Sequence, residues 1–290
     1  MIVAQVYVDN IIFRSTKDEL AHCFSKLMQA EFEMSMIGEL THFLGLQIHQ
    51  LNSGIFLSQS KYAKNLVKKF GLESANSVRT LMSPNVKLTV DLLGKNVDSS
   101  LYRSMIGSLL YLTASRPDIS YSVGVCAKYQ ANPKESHMTA LKRIIKYVKT
   151  TTEFGVWYSE NTNDVLVKYS DADWARNVDD RKSTSGGYFY VGNNLVSWMS
   201  KKQNSISLST IEAEYITAGS CCTQLLWMQK LLHNYGICHT DDQKVELFTK
   251  SLDSKRLNSF AKTLVYLHGL ISSSHFPSSC ICIIFMHYFV

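Results

Sequence analysis

The chain has 290 residues, is 46% hydrophobic and 19% charged, and carries a net charge of +6. That length holds two ordinary domains, and that balance fits a soluble globular protein and not a disordered one. The mild positive charge admits a nucleic-acid partner without requiring one. Seven cysteines (Cys23, Cys126, Cys221, Cys222, Cys238, Cys280 and Cys282) are odd in number and form no CxxC pair. They are read as reduced thiols of an intracellular protein, cytoplasmic or nuclear. The apolar start, MIVAQVYV, has neither a basic leader nor a cleavage site. The apolar end, Cys280 to Val290, is shorter than the roughly 20 residues that cross a bilayer. Secretion and membrane association are not expected.

Residues 1–13 read as a β-hairpin that turns at the polar pair Asp9-Asn10. Lys17 to Ala30 places Leu20, Phe24, Leu27 and Met28 on one helical face. Phe43 to Gln50 and Ile55 to Gln59 read as strands around the turn Asn52-Ser53-Gly54. Ser60 to Phe70 reads as a basic helix carrying Lys61, Lys64, Lys68 and Lys69, and residues 74–100 as a connecting segment. Residues 101–150 read as helices broken at Pro117 and Pro133. Within them Leu141, Ile144, Ile145 and Val148 form a stripe to be buried, and Lys142, Lys146 and Lys149 line another face. That basic face suits either solvent or a phosphate backbone.

From Val165 the apolar period becomes two. Val165 to Asp171, Gly187 to Val191 and Leu195 to Trp198 read as strands, with a turn at Gly192-Asn193-Asn194. Ser209-Thr210-Ile211-Glu212 has the capping-box pattern, so a helix is expected from there through Cys222. A second is expected over Leu225 to Tyr235, and Val245 to Phe260 suits a third.

Two acidic sites stand out. Asp9 with Asn10, at the hairpin tip, offers one carboxylate and one neutral amide, which is less than a divalent metal site asks for. A plain turn residue is the simpler reading of Asp9. The second candidate pairs a strand acid, from Asp171 and Asp173, with a helix acid, from Glu212 and Glu214. The two glutamates lie about 200° apart around a helix. One acid of each pair is expected to converge, Asp171 with Glu214, although an isolated Asp–Glu pair is more often a solvated face.

At these residues the chain resembles a known family. YVDN resembles the YVDD box of reverse transcriptases. LTHFLGLQI, GIFLSQSKYAKNLVKKFG, YRSMIGSLLYLTASRPDIS, YSDADWA, RKSTSGGYFYVG, VSWMSKKQNSISLSTIEAEY and VELFTKSL follow in order. Together they resemble the C-terminal part of the Pol polyprotein of copia-type retrotransposons, the end of the reverse transcriptase followed by ribonuclease H, over roughly residues 1–262.

The resemblance implies an α/β (α+β) chain. Residues 1–90 would be a truncated palm and thumb-like part, 91–160 a helical connection, and 161–262 an incomplete ribonuclease-H-like domain. Residues 263–290 would be an unrelated apolar tail. In the polymerase, Asp9 matches the first aspartate of the box and Asn10 replaces the second. In ribonuclease H, Asp171 and Glu214 match catalytic acids that hold Mg²⁺. The family's fourth strand, ending in an Asp-Asn pair, has no counterpart, so a deletion is expected after about residue 238; Asp241, Asp242 and Asp253 are the nearest substitutes. Thr150 and Arg176 stand where the family has glycine.

The ancestral function so implied is RNA-directed DNA synthesis and Mg²⁺-dependent hydrolysis of RNA in RNA–DNA hybrids, read as lost in this chain. A nucleic-acid-binding remnant using Lys61, Lys64, Lys68, Lys142, Lys146 and Lys149 is one alternative, and a residual ribonuclease H the other. The expected partner is an RNA–DNA hybrid or another nucleic acid, with no small-molecule substrate and no membrane.

Overall fold

The alternation at the start of the chain forms a hairpin. In the computed structural model, which describes residues 2–82 and 88–236, β1 (Ile2–Tyr7) pairs antiparallel with β2 (Asn10–Ser15). The turn is Val8-Asp9, one residue earlier than expected, and Asn10 pairs with Tyr7. Val8 takes a left-handed backbone, φ 50, which closes the two-residue loop at the cost of strain in a β-branched residue. α1 (Asp18–Glu31) packs on β2. Its expected apolar face is only partly covered among the described residues: Phe24 and Met28 are half-buried, while Leu20 and Leu27 are exposed.

The single strand expected from Phe43 to Gln50 is broken. Leu44 and Gly45 both have positive φ, 49 and 78, so β3 (His42–Phe43) turns straight back into β4 (Leu46–Leu51). Gly45 is required there, because a Cβ would run into the Tyr111 hydroxyl, which donates to the Leu44 carbonyl at 2.8 Å. β4 pairs with β5 (Gly54–Ser58) across the expected turn. β5 also pairs with β6 (Gly155–Ser159), a strand not foreseen from the sequence, giving the sheet order β3-β4-β5-β6. β6 has five residues directly behind a helix, too few to show a period of their own.

Four helices complete this part: α2 (Ser60–Lys69), α3 (Ser99–Leu112), α4 (Pro117–Ala127) and α5 (Glu135–Thr150). Asp98 caps α3, accepting from the amides of Ser100 at 2.8 Å and Leu101 at 3.2 Å. Pro117 begins α4, where its missing N–H has no partner to lose. The expected stripe Leu141, Ile144, Ile145 and Val148 is fully buried, and α5 packs against α2, α3 and α4.

The third sheet has the order β7-β8-β9, all antiparallel: β7 (Leu166–Asp173), β8 (Thr184–Val191) and β9 (Asn194–Lys202). The two helices expected after it are one, α6 (Thr210–Asn234), packed on β7 and β8. Ala213, Thr217, Cys221, Leu225, Met228 and Leu232 recur at steps of three or four and are all buried. One stripe continues past Thr223-Gln224, which lie off it, so nothing ends the helix there.

The described residues divide into two units, 2–82 with 92–162, and 88–91 with 163–236. The first holds the hairpin, the four-stranded sheet and α1 to α5. The second holds the three-stranded sheet and α6. The expected helix at Val245 to Phe260, the acids Asp241, Asp242 and Asp253, the deletion after about 238 and the tail 263–290 lie outside the described residues. Among the described residues the cysteines are free, Cys23 exposed and Cys126, Cys221 and Cys222 buried. No helix among them is long and apolar enough to cross a membrane.

Candidate active site

Strand pairing fixes where the acids of β7 stand. On β8, Phe189 is fully buried, a Cβ on Gly187 would touch the Cys221 sulfur, and Ser185 is hydrogen-bonded to Thr217 of α6. These three face the helix. Their partners across the ladder are Lys168, Ser170 and Ala172, and directly opposed residues share a face. Lys168 bears this out, its Nζ lying 3.4 Å from the Ala218 carbonyl oxygen. Asp171 and Asp173, paired with Gly186 and Thr184, therefore both stand on the side away from α6. The expectation that only one of them faces the site fails, because residues two apart on a strand share a face.

Glu214 meets this strand at its outer edge. β7 is an edge strand of the described sheet, and the Ala172 amide, unused by the ladder, donates to Glu214 Oε1 at 3.1 Å. Glu214 is half-buried and Asp171 exposed. Burial raises the Glu214 carboxyl above its ordinary range; the Ala172 hydrogen bond draws it back, and the nearby Asp171 carboxylate adds to the rise. The two acids named from the sequence are thus brought together, one beside the strand edge and one reaching it from the helix.

Their neighbours are otherwise engaged. Asp173 forms an ion pair with Arg176 Nε at 3.2 Å. Glu212 accepts from the Leu208 amide at 2.7 Å, while its own amide donates to Ser209 Oγ at 3.2 Å, so it serves the start of α6. Among the described residues no group of three or more His, Cys, Asp or Glu is gathered as a metal ion would need. In the first unit Asp9 lies exposed at the hairpin turn and Asn10 is exposed in β2.

Comparison with known proteins places the chain. Residues 1–84 match the family described as Reverse transcriptase (RNA-dependent DNA polymerase). The chain is 36% identical over 232 residues to the retrovirus-related Pol polyprotein from transposon RE1 of Arabidopsis thaliana, covering 80% of this chain and 16% of that one. The corresponding polyprotein from transposon RE2 of the same plant is 35% identical over 232 residues, with 80% and 16% covered. An uncharacterized mitochondrial protein of Arabidopsis thaliana is 33% identical over 222 residues, covering 77% of this chain and 92% of that protein.

The chain belongs to the copia-type retrotransposon Pol family.

It spans about a sixth of the length of the curated Pol polyproteins it matches, 16% in both of the first two. No solved structure matches it. In this Pol chain the six lysines named from the sequence take different surroundings. Lys61 and Lys68 of α2 and Lys142 of α5 are exposed, and Lys146 is half-buried. Lys64 forms an exposed ion pair with Glu153 at 2.7 Å. Lys149 donates to the Ala75 carbonyl at 2.8 Å and so helps hold the connecting segment.

Two buried polar residues of the Pol chain escaped sequence reasoning. Arg116 is 1% exposed; it grips the Asp118 carboxylate with Nε at 2.8 Å and Nη2 at 2.7 Å, and Nη1 donates to the Thr151 carbonyl at 2.7 Å. Gln203, 4% exposed, lies between β8 and α6. Neither belongs to an apolar period, so neither leaves a periodic signal; Arg116, immediately before the helix-opening Pro117, had at most a positional one.

Proposed function

We propose that this chain is a reverse transcriptase and ribonuclease H remnant of a copia-type Pol polyprotein, and that its second unit is ribonuclease-H-like and does not hydrolyse RNA by itself. The observation that carries the reading is the meeting of Asp171 and Glu214 at the outer edge of β7, joined through the Ala172 amide. Three antiparallel strands followed by a helix, with one acid from the first strand and one from the helix, is what the resemblance implies for the start of a ribonuclease H domain.

Two carboxylates are hard oxygen donors of the kind Mg²⁺ takes. Burial raises Glu214 most and the like charge of Asp171 adds to it; a shared cation would relieve the like charge of the two acids. They suit one such ion. Hydrolysis by the two-metal route needs donors enough for a pair of dications, one activating water and one steadying the leaving oxygen. Asp173 and Glu212 are engaged by Arg176 and the Leu208 amide, and among the described residues no third acid is gathered with Asp171 and Glu214 to supply them. In the polymerase part, Asn10 beside Asp9 offers an amide where the family's box has a carboxylate.

The test is hydrolysis of a labelled RNA–DNA hybrid with Mg²⁺, run beside Asp171→Asn. Equal, background cleavage by both is expected. Cleavage by the natural chain that disappears in Asp171→Asn overturns the inactive reading in favour of a residual ribonuclease H.

A second reading, nucleic-acid binding without catalysis, rests on the exposed Lys61, Lys68 and Lys142 carried by α2 and α5, which pack on each other. Binding of this kind weakens steeply with salt and ignores sequence.

A further inference from the structure

The second unit holds a buried polar cluster that the acids do not explain. Gln203 follows β9 and reaches between the sheet and the start of α6. Its Nε2 lies 2.9 Å from the Ala213 carbonyl oxygen, 3.1 Å from Ser185 Oγ and 3.2 Å from Thr217 Oγ1. Its Oε1 accepts from Ser207 Oγ at 3.0 Å, and its backbone amide donates to the Ser183 carbonyl at 2.9 Å. Gln203, Ser207, Ser185 and Thr217 are all buried, Thr217 and Ser185 sharing a further bond of 2.6 Å.

An amide side chain has two N–H donors and one carbonyl acceptor. Here both ends are used inside the protein, where an unmet polar group costs about 1–3 kcal/mol.

The same cluster reaches the end of β7. Trp174, next after Asp173, donates from Nε1 to the Ser207 carbonyl at 3.1 Å, and the Ala175 amide donates to Ser183 Oγ at 3.1 Å. Ser207 and Ser183 are the residues that Gln203 holds from the other side. Through its side chain and its backbone amide, Gln203 thus links strand β8, the segment before α6 and the first turns of α6, and through Ser207 and Ser183 the turn after β7. Asp171 lies three residues before Trp174, and Glu214 lies one residue after Ala213.

We propose that Gln203 is a positioning residue that holds the strand of Asp171 and the helix of Glu214 in mutual register. It acts through backbone and hydroxyl groups and touches neither carboxylate. The proposal takes its functional meaning from the ribonuclease-H-like reading, but its test does not need that reading to be right.

The Ala172 amide reports the register directly, since it donates to Glu214. Its hydrogen exchange is measured by NMR in the natural chain, in Gln203→Met, which keeps the volume and removes the side-chain hydrogen bonds, and in Glu214→Ala, which removes the acceptor and sets the unprotected limit. Gln203→Met is expected to move Ala172 most of the way to that limit, while the amides shared by β8 and β9 keep their protection relative to one another. Ala172 remaining at natural protection, or losing it only in step with the whole sheet, overturns the proposal. If Gln203→Met does not fold, Thr217→Val, which removes one arm of the same cluster, is judged by the same two outcomes. Cleavage of a hybrid by the natural chain would overturn the inactive reading and leave this readout intact.

Discussion

At Glu214 the strand edge, the helix and the charge of Asp171 meet in one carboxyl group. Its folded value lies above the ordinary 4.5, so within the window between the two the folded chain holds more proton than the unfolded chain. The slope of stability with pH is then negative. The contribution is complete below the ordinary value and is lost as pH rises through the raised one. Glu214→Gln keeps an oxygen for the Ala172 amide and has no charge to bury. It is therefore expected to lack this decline and to be at least as stable as the natural chain at pH 7, measured by urea unfolding at pH 4 and pH 7. A natural chain that gains stability across that window relative to Glu214→Gln would contradict the assignment. Arg116 gives the opposite case. Its guanidinium is enclosed by Asp118 and Thr151, with the rings of Tyr147 and Phe154 at 5.8 and 5.3 Å. Arg116→Met leaves the Asp118 carboxylate without its cation and the Thr151 carbonyl without its donor, and is expected to cost about 3 kcal/mol in the same unfolding measurement.

Among the elements, those with a repeating period were legible and those made by contact were not. The α5 stripe, the three strands of the third sheet and the start of α6 follow from apolar spacing and a cap, information contained within a few residues. β6 forms only because β5 offers it an edge, and the break at Leu44-Gly45 is set by Tyr111, 67 residues away in sequence. The union of α6 was hidden by polar Thr223-Gln224, which lie off its buried stripe. Of the candidate site, Asp171 and Glu214 were legible through family resemblance. Their joining through the Ala172 amide and the grip of Gln203 were not, since both depend on which face and edge β7 presents. Two backbone positions, Gly54 and Val8, test the local geometry. A Cβ on Gly54, at φ 153, would collide with the Tyr158 carbonyl of β6, so Gly54→Ala is expected to cost about 3 kcal/mol. Val8→Gly relieves a left-handed valine and is expected to stabilise the hairpin unit by about 1 kcal/mol. Thermal unfolding of each variant checks the two signs.

On the scale of the whole molecule, a mildly basic chain of two units carries Asp171 and Glu214 in one unit and the six named lysines in the other. If the exposed lysines of α2 and α5 engage phosphates, affinity for a nucleic acid falls with salt in proportion to the contacts made, and removing Lys61 and Lys142 together should reduce the slope of log K against log salt by about 2. An unchanged slope would remove that face from the account. The acids belong to the second unit and carry the central claim, that Asp171 and Glu214 keep half of a metal centre at the edge of β7. The most direct measurement is a Mg²⁺ titration followed by NMR at the Ala172 amide, in the natural chain and in Asp171→Asn. The account predicts a single saturable shift centred on Ala172 that is lost in the variant. No shift at Ala172, or the same shift in Asp171→Asn, would contradict it.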